Sequence, residues 1–472
     1  MPFSDEFPSG EGDERERRLV RDLHRFYHAE GEDAQSLAHV RRRLVERRAS
    51  VLDDPAGPQQ RHDRLSPLRG SPAQVKGTRS RSFVGRTWQR RLGSVAALLF
   101  VTLLVGSLVL VLVRARQNGA NSSGIAGPFE ALSSIDMLDS EIGWAVTAKG
   151  HVIRTSDGGL HWQSVTPNYP ATGGQQKVVA AFLTSSTAWV AVSITATDGT
   201  TTVSVFRTTD GGQTWLDTTI QQSSPIYQIT FVDAQHGWML SKQADLASAE
   251  AIAILGTTDG GKTWTVVSSA LAASTDTPPP GHLPFGGDKA GLGFANATTG
   301  WIAGSFSLQG YVFFYVTHDG AATWNRQTLA FPSSKASTQI VTGPPGFFSA
   351  NDGILPVSFV TENAASLDLY VTHDGGASWT STTPVAAKAS ISDVLDMKHA
   401  WASDGTLLYA TTDGGQSWTK LAAGGGFQRV TRLDFVSTTT GWAIRSTTPN
   451  FSSLLKTVDG GQTWTVVQYT IS

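Results

Sequence analysis

The hydrophobic pattern changes character twice along the chain. Residues 14–29 (ERERRLVRDLHRFYHA) set Leu19, Leu23 and Phe26 on one helical face among charges. Gly31 then reads as a C-cap and Asp33 as the N-cap of a second helix carrying Leu37, Val40 and Leu44. Two such helices cover too little apolar area for a core of their own, so residues 1–50 are expected to form only a short helical segment. Residues 51–93 turn to Pro, Ser, Gly and Arg, the composition of a disordered linker. Residues 94–113 (SVAALLFVTLLVGSLVLVLV) are uncharged and apolar on every face. A helix of that length, at about 1.5 Å per residue, spans a hydrocarbon core of about 30 Å and is predicted to be transmembrane. A linker over 114–128 follows.

From residue 129 to the end the apolar residues come in short β-branched or aromatic runs, bounded by Gly, Asp, Ser and Asn, and the pattern repeats seven times. The sharpest element reads Thr-x-Asp-Gly-Gly-x-(Thr/Ser)-Trp. Its aspartates are Asp157, Asp210, Asp259, Asp319, Asp374, Asp413 and Asp459, and its tryptophans Trp162, Trp215, Trp264, Trp324, Trp379, Trp418 and Trp464. A Gly-Trp or Ala-Trp pair precedes it at Trp144, Trp189, Trp238, Trp301, Trp401 and Trp442, with Asn351 to Pro356 in its place in the fifth repeat. Each unit therefore reads as four strands: A ending in Phe or a substitute, B at the Trp pair, C before the Asp string, and D from the final Trp. Four antiparallel strands per repeat of about 50 residues is the blade of a β-propeller, and seven units predict an all-β, seven-bladed ring over 129–472. A β-helix is the alternative, but it does not call for a hairpin turn in every unit. Paired glycines supply positive φ, and the Asp carboxylate can accept hydrogen bonds from its own turn.

Charge sharpens the segmentation. Residues 1–93 hold 19 basic and 14 acidic side chains, whereas residues 117–472 hold 16 and 25. Six cations lie in 74–93 and two in 114–133, so the positive-inside rule places the N-terminus in the cytoplasm and the repeats outside the cell membrane. The basic run between Arg61 and Arg91 is expected to meet anionic lipid; aromatic interleaving is limited to Phe83 and Trp88, and no nucleic-acid partner is expected. The absence of cysteine excludes disulfides, thiolate-bound metals, a cysteine nucleophile and a lipid anchor on cysteine.

The Asp string resembles the Asp-box, or bacterial neuraminidase repeat, of sialidases, sortilins and certain glucanases. The longer pattern Gly143-Trp144-Ala145-Val146, Gly150, Ile153 and Asp157-Gly158-Gly159 is more similar to propellers of the photosystem II stability and assembly factor kind. The resemblance implies the fold and a protein-binding habit for residues 128–468. A sialidase site would imply three arginines, a Tyr nucleophile and a Glu. Here the exterior arginines are Arg154, Arg207, Arg326, Arg429, Arg432 and Arg445, of which the first two share a strand C position with Lys456 and read as repeat features.

One carboxylate recurring in seven identical turns is architecture, so the box residues are assigned structural roles, with no catalytic residue, cofactor or metal site. The boxes all fall in C–D turns, on one rim. The D–A and B–C connections share the other rim and vary most, at 268–290, 193–201 and 241–250. Binding of an extracytoplasmic protein or glycan is expected there, around His282, Phe285 and Asp288. A non-enzymatic binding or assembly module is the leading reading; a glycoside hydrolase and the ectodomain of a transmembrane sensor are the alternatives. Ring closure by strand exchange with residues 125–131 is a further expectation.

Overall fold

The computed structural model describes residues 130–169, 174–220, 222, 224–246, 249–270, 279–385, 391–421, 427–448 and 451–472. The helical segment, the basic linker, the membrane span and the linker at 114–128 lie outside them. No helix among the described residues is long and apolar enough to cross a membrane.

The described residues form a β-propeller. Seven groups of antiparallel strands follow one another, at 132–164, 175–220, 226–270, 288–326, 339–381, 391–421 and 430–467. Within the first, Leu132–Met137, Gly143–Thr147, Val152–Thr155 and His161–Ser164 pair in sequence order, the A, B, C and D strands expected. The fifth group departs from this plan. Its A strand is broken into Gln339–Thr342 and Gly346–Phe347, because Pro344 and Pro345 bring no N–H to a ladder. Gln339–Thr342 also meets the fourth group through Ser305 and Val341, which fuses the two into one nine-stranded sheet.

Cores lie between neighbouring groups, and the paired tryptophans organise them. Each stacks on the residue ending the next group's A strand: Trp144 on Phe182 (ring centroids 5.1 Å apart), Trp189 on Phe231 (3.6 Å), Trp238 on Phe294 (3.6 Å), Trp301 on Phe347 (4.9 Å) and Trp401 on Phe435 (3.6 Å). Where the fifth repeat lacks its Trp, Ile354 shares a cluster with Val394 of the sixth. Trp442 completes the circuit by packing in one cluster with Met137 of the first group. A buried ring of 150–250 Å² placed between sheets gives each interface its largest single apolar contribution.

The ring closes through the C-terminus. Thr470–Ile471 adds to the outer edge of the first group, parallel to His161–Ser164, and Tyr469 donates its hydroxyl to the carbonyl of Glu130 at 2.8 Å. The exchange expected with 125–131 falls mainly outside the described residues; within them, Thr470–Ile471 is an added fifth strand. Parallel addition outside the D strand leaves the A strand's pairing untouched.

Candidate functional site

The C–D turns repeat one geometry seven times. In the second group, Thr208 donates its hydroxyl to Asp210 Oδ1 at 2.8 Å and accepts the N–H of Gly212. Asp210 also accepts the N–H and hydroxyl of Thr214 at 2.9 and 2.6 Å. The threonine at 155, 257, 317, 372, 411 and 457 does the same for its own box. The first glycine then donates to the A–B turn, as Gly158 does to Glu141 and Gly211 to Ser186, so both turns share a rim. Hydrogen bonds from the hydroxyl four residues on, then from that residue's N–H, hold Asp210, Asp374, Asp413 and Asp459 at about 2. A carboxylate so engaged is an acceptor for its own turn and has little left for chemistry.

The box tryptophans sit beside these turns. Trp162, Trp264 and Trp464 donate to their own second glycine, while Trp215, Trp324 and Trp418 donate to the preceding group at Val165, Ser268 and Thr383. Trp379 packs in the core between the fourth and fifth groups, and its buried Nε1 has no hydrogen-bond partner. The strand C cations lie over the paired tryptophans, Arg154 on Trp144 (5.6 Å), Arg207 on Trp189 (6.0 Å) and Lys456 on Trp442 (4.6 Å), which makes them elements of the repeat.

The opposite rim differs from group to group. The stretches at 193–201 and 241–250 are B–C hairpins that extend the strands. Of the insertion, residues 279–288 are described, and they are anchored at both ends. Gly281 bridges to Trp324, and Lys289 inserts a fully buried side chain under the loop. Its ammonium donates to the carbonyls of Phe285 (2.6 Å), Gly286 (3.2 Å), Gly287 (2.8 Å) and Glu250 (3.2 Å). Glu250 accepts the Lys289 N–H at 2.8 Å and pairs with Lys242 at 2.7 Å. Burial pulls Lys289 down to about 8 and pushes Glu250 up, the latter opposed by Lys242. His282 and Asp288 are exposed and Phe285 half-buried on this loop. The three residues therefore share one structured loop, held by its backbone.

Two sets of buried carboxylates escaped the sequence reading. Asp136, Asp393 and Asp434 stand one residue before the end of their A strands and are buried. Asp393 accepts the N–H of Phe435, and Asp434 accepts that of Met137 at 2.6 Å, each joining one group to the next. The signal was an Asp at the same place in three otherwise apolar strand ends. Asp368, on strand C of the fifth group, is 2% exposed and its Oδ1 has no hydrogen-bond partner. Burial raises it to about 6, against the pull of Lys335, whose ammonium donates to Ser366 at 2.7 Å. No cluster of three or more His, Asp or Glu able to hold a metal occurs among the described residues.

No protein-family model matches the chain, and neither does any curated protein sequence. Among solved structures it is similar to YCF48 bound to a D1 peptide, at 17% identity over 70% of this chain and 93% of that one, with a TM-score of 0.46. YCF48 from Cyanidioschyzon merolae is similar at 17% identity over 70% and 94%, TM-score 0.42. A family GH93 α-L-arabinofuranosidase of Fusarium graminearum with arabinobiose is similar at 13% identity over 61% and 95%, TM-score 0.38.

Proposed function

We propose that this chain is a single-pass membrane protein, its N-terminus in the cytoplasm, that displays a seven-bladed Asp-box propeller outside as a non-enzymatic module for binding or assembling an extracytoplasmic protein or glycan. The observation that carries the reading is the engagement of the innermost carboxylates. Asp393 and Asp434 are buried and accept backbone N–H groups of the next blade. The box aspartates are likewise committed to their own turns. What remains variable and anchored is the rim carrying His282, Phe285 and Asp288. Residues 61–91 meet anionic lipid on the cytoplasmic side in this reading.

Photocrosslinking in cells from position 282, with Gln213 on the box rim as control, tests it. A discrete protein or glycan adduct from 282 and none from 213 is expected. Hydrolysis of an oligosaccharide by the purified full chain, lost on Asp434→Asn in a protein that still folds, overturns it.

A further inference from the structure

We propose that Asp368 is a proton-operated switch: once it ionises, the Lys335 ammonium is drawn past Ser366 onto its carboxylate and shifts the connection 327–338, together with the rim tip at 306–311 that is bonded to it. The movement is a property of the propeller alone. Only its consequence, a rim that meets its partner differently in acid and at neutral pH, rests on the binding role proposed above. The first support is an acceptor left without a donor. Asp368 lies on Ala365–Thr372, the C strand of the fifth blade, and its buried Oδ1 has no hydrogen-bond partner. Two residues earlier on the same face, Ser366 Oγ takes the Lys335 ammonium at 2.7 Å. A buried charge is costly without a partner, so this arrangement suits the neutral acid. Burial raises Asp368 to about 6, against the pull of Lys335 and of the Ser366 hydroxyl, both of which favour the ionised form.

The second support is the shortage of other charges. Lys335 ends the short 3-10 helix Ser333–Lys335, and its ammonium lies 5.1 Å from the centroid of the Phe359 ring. Gly353–Val360, Gln339–Thr342 and Thr380–Ser381, the strands around Asp368, carry no titratable side chain. Tyr370, two residues on, is raised to about 12, by burial first and then by Asp368, and donates its hydroxyl to the carbonyl of Ala330 at 3.0 Å. Glu362 is exposed to water on the turn before the strand. Lys335 is therefore the cation placed to answer the carboxylate when its proton leaves.

The third support is what the connection holds. Thr338 donates its N–H and its hydroxyl to the Lys335 carbonyl at 3.0 and 2.7 Å, and its own carbonyl accepts the N–H of Gly310 at 2.9 Å. Gly310 belongs to the B–C turn of the fourth blade, where Leu308 is 61% exposed and the rings of Phe306 and Tyr311 stand 5.0 Å apart. Phe306 lies in turn against the insertion, since a Cβ added at Gly286 would fall 2.8 Å from its Cε2. Contiguous contacts thus run from Asp368 through Lys335, Thr338, Gly310 and Phe306 to the loop of His282, Phe285 and Asp288. A carboxyl buried in the fifth blade reaches the variable rim by this route.

Because the chain has no cysteine, one environment-sensitive fluorophore at a time can be placed at Ser334→Cys beside Lys335, at Leu308→Cys on the tip, or at Gln213→Cys on the box rim as control. The purified full chain, with no partner present, would be titrated from about pH 4.5 to about pH 8. The labels at 334 and 308 should shift in emission through one transition centred at or below about 6, while the label at 213 stays constant. In Asp368→Asn both labels should keep their low-pH emission throughout, and in Lys335→Met neither should move, with near-ultraviolet circular dichroism confirming that each variant is folded. Every other titratable group is untouched in Asp368→Asn, so a transition that persists there overturns the switch. Persistence in Lys335→Met, an equal shift at 213, or a parent without a transition overturns it too. A shift at 334 with none at 308 overturns its reach to the rim. The binding role fails separately, when position 282 gives no adduct while the transition stands.

Discussion

The indole N–H of Trp442 donates to the carbonyl of Gly158 at 3.1 Å, joining residues 284 apart in sequence. The same bond runs from Trp189 to Gly260, Trp238 to Gly320 and Trp401 to Gly460, so a tryptophan of one blade caps the box of the next. At Trp442 the bond also closes the ring. Trp442→Phe should cost about 1–2 kcal/mol through the lost hydrogen bond. Trp442→Ala should cost about 3–5 kcal/mol through the cavity. Urea denaturation measures both, and a cost for Phe equal to that for Ala would show that the indole N–H, with no packing contribution, carries the closure.

The second box glycine tolerates a side chain in only some blades. Ala321 occupies that position at φ 82°. At Gly376, φ is 87° and an added Cβ would fall 2.3 Å from Trp301 Cζ2. Gly376→Ala should therefore lose about 2–4 kcal/mol, summing left-handed strain and overpacking. Thermal melting compares it with Ala321→Gly, where relieved strain and a lost buried methyl oppose one another and should leave less than about 1 kcal/mol.

Asp368 makes stability pH-dependent in the direction opposite to a salt-bridged carboxylate. Its folded value of about 6 lies above the ordinary 3.8, so the folded state holds the proton more tightly and stability falls as pH rises from 4 through 6. Asp368→Asn should be more stable than the parent at pH 7.5 by on the order of 1–2 kcal/mol, and equal to it at pH 4. Chemical denaturation at the two pH values is the measurement; an unchanged gap would remove the buried charge as its cause.

The box aspartates act the other way. Folded values of about 2 for Asp210, Asp374, Asp413 and Asp459 lie below 3.8, so their contribution is present above pH 4 and is lost as pH falls toward 2. Acid titration followed by near-ultraviolet circular dichroism should show tertiary signal lost across that window. Asp210→Asn should remove part of the pH dependence.

Lys289→Met should free the insertion. It removes the common donor of four carbonyls and leaves Glu250 with only Lys242 as a charged partner, at a cost of about 2–4 kcal/mol. Hydrogen exchange should report the loss first at residues 285–289. Protection there unchanged from the parent would mean that the Gly281 bridge to Trp324 alone holds the loop.

The blades were legible because local chemistry repeats. A turn that needs two positive φ values, an internal acceptor and a covering ring prints the same residues seven times, and Gly158 to Trp162 already show why. The strand C cations could be read for the same reason, since Arg154, Arg207 and Lys456 align by position. Closure was not legible. Thr470–Ile471 is two residues long, and nothing in its composition distinguishes pairing with the outer edge at Trp162 from pairing elsewhere. Nor did the pattern reveal Lys289, whose partners are backbone carbonyls and so leave no mark on neighbouring side chains. Asp368 was hidden for another reason: burial acts through the whole interface between blades, and no spacing along one strand encodes it.

The bond between Tyr469 and Glu130 has a consequence in time. The two residues lie 339 apart, so at about 5–20 residues per second the ribosome delivers the second about 20–70 s after the first. Throughout that delay the face of the first blade that will receive Trp442, Ile444 and Leu454 presents Ile135, Met137 and Trp162 to solvent. The nascent ring is an open spiral with an adhesive end. In the single-span reading, a chain carried across a bilayer during those seconds gains from keeping its last strand short, so that closure is the final act of export and not a stage within it.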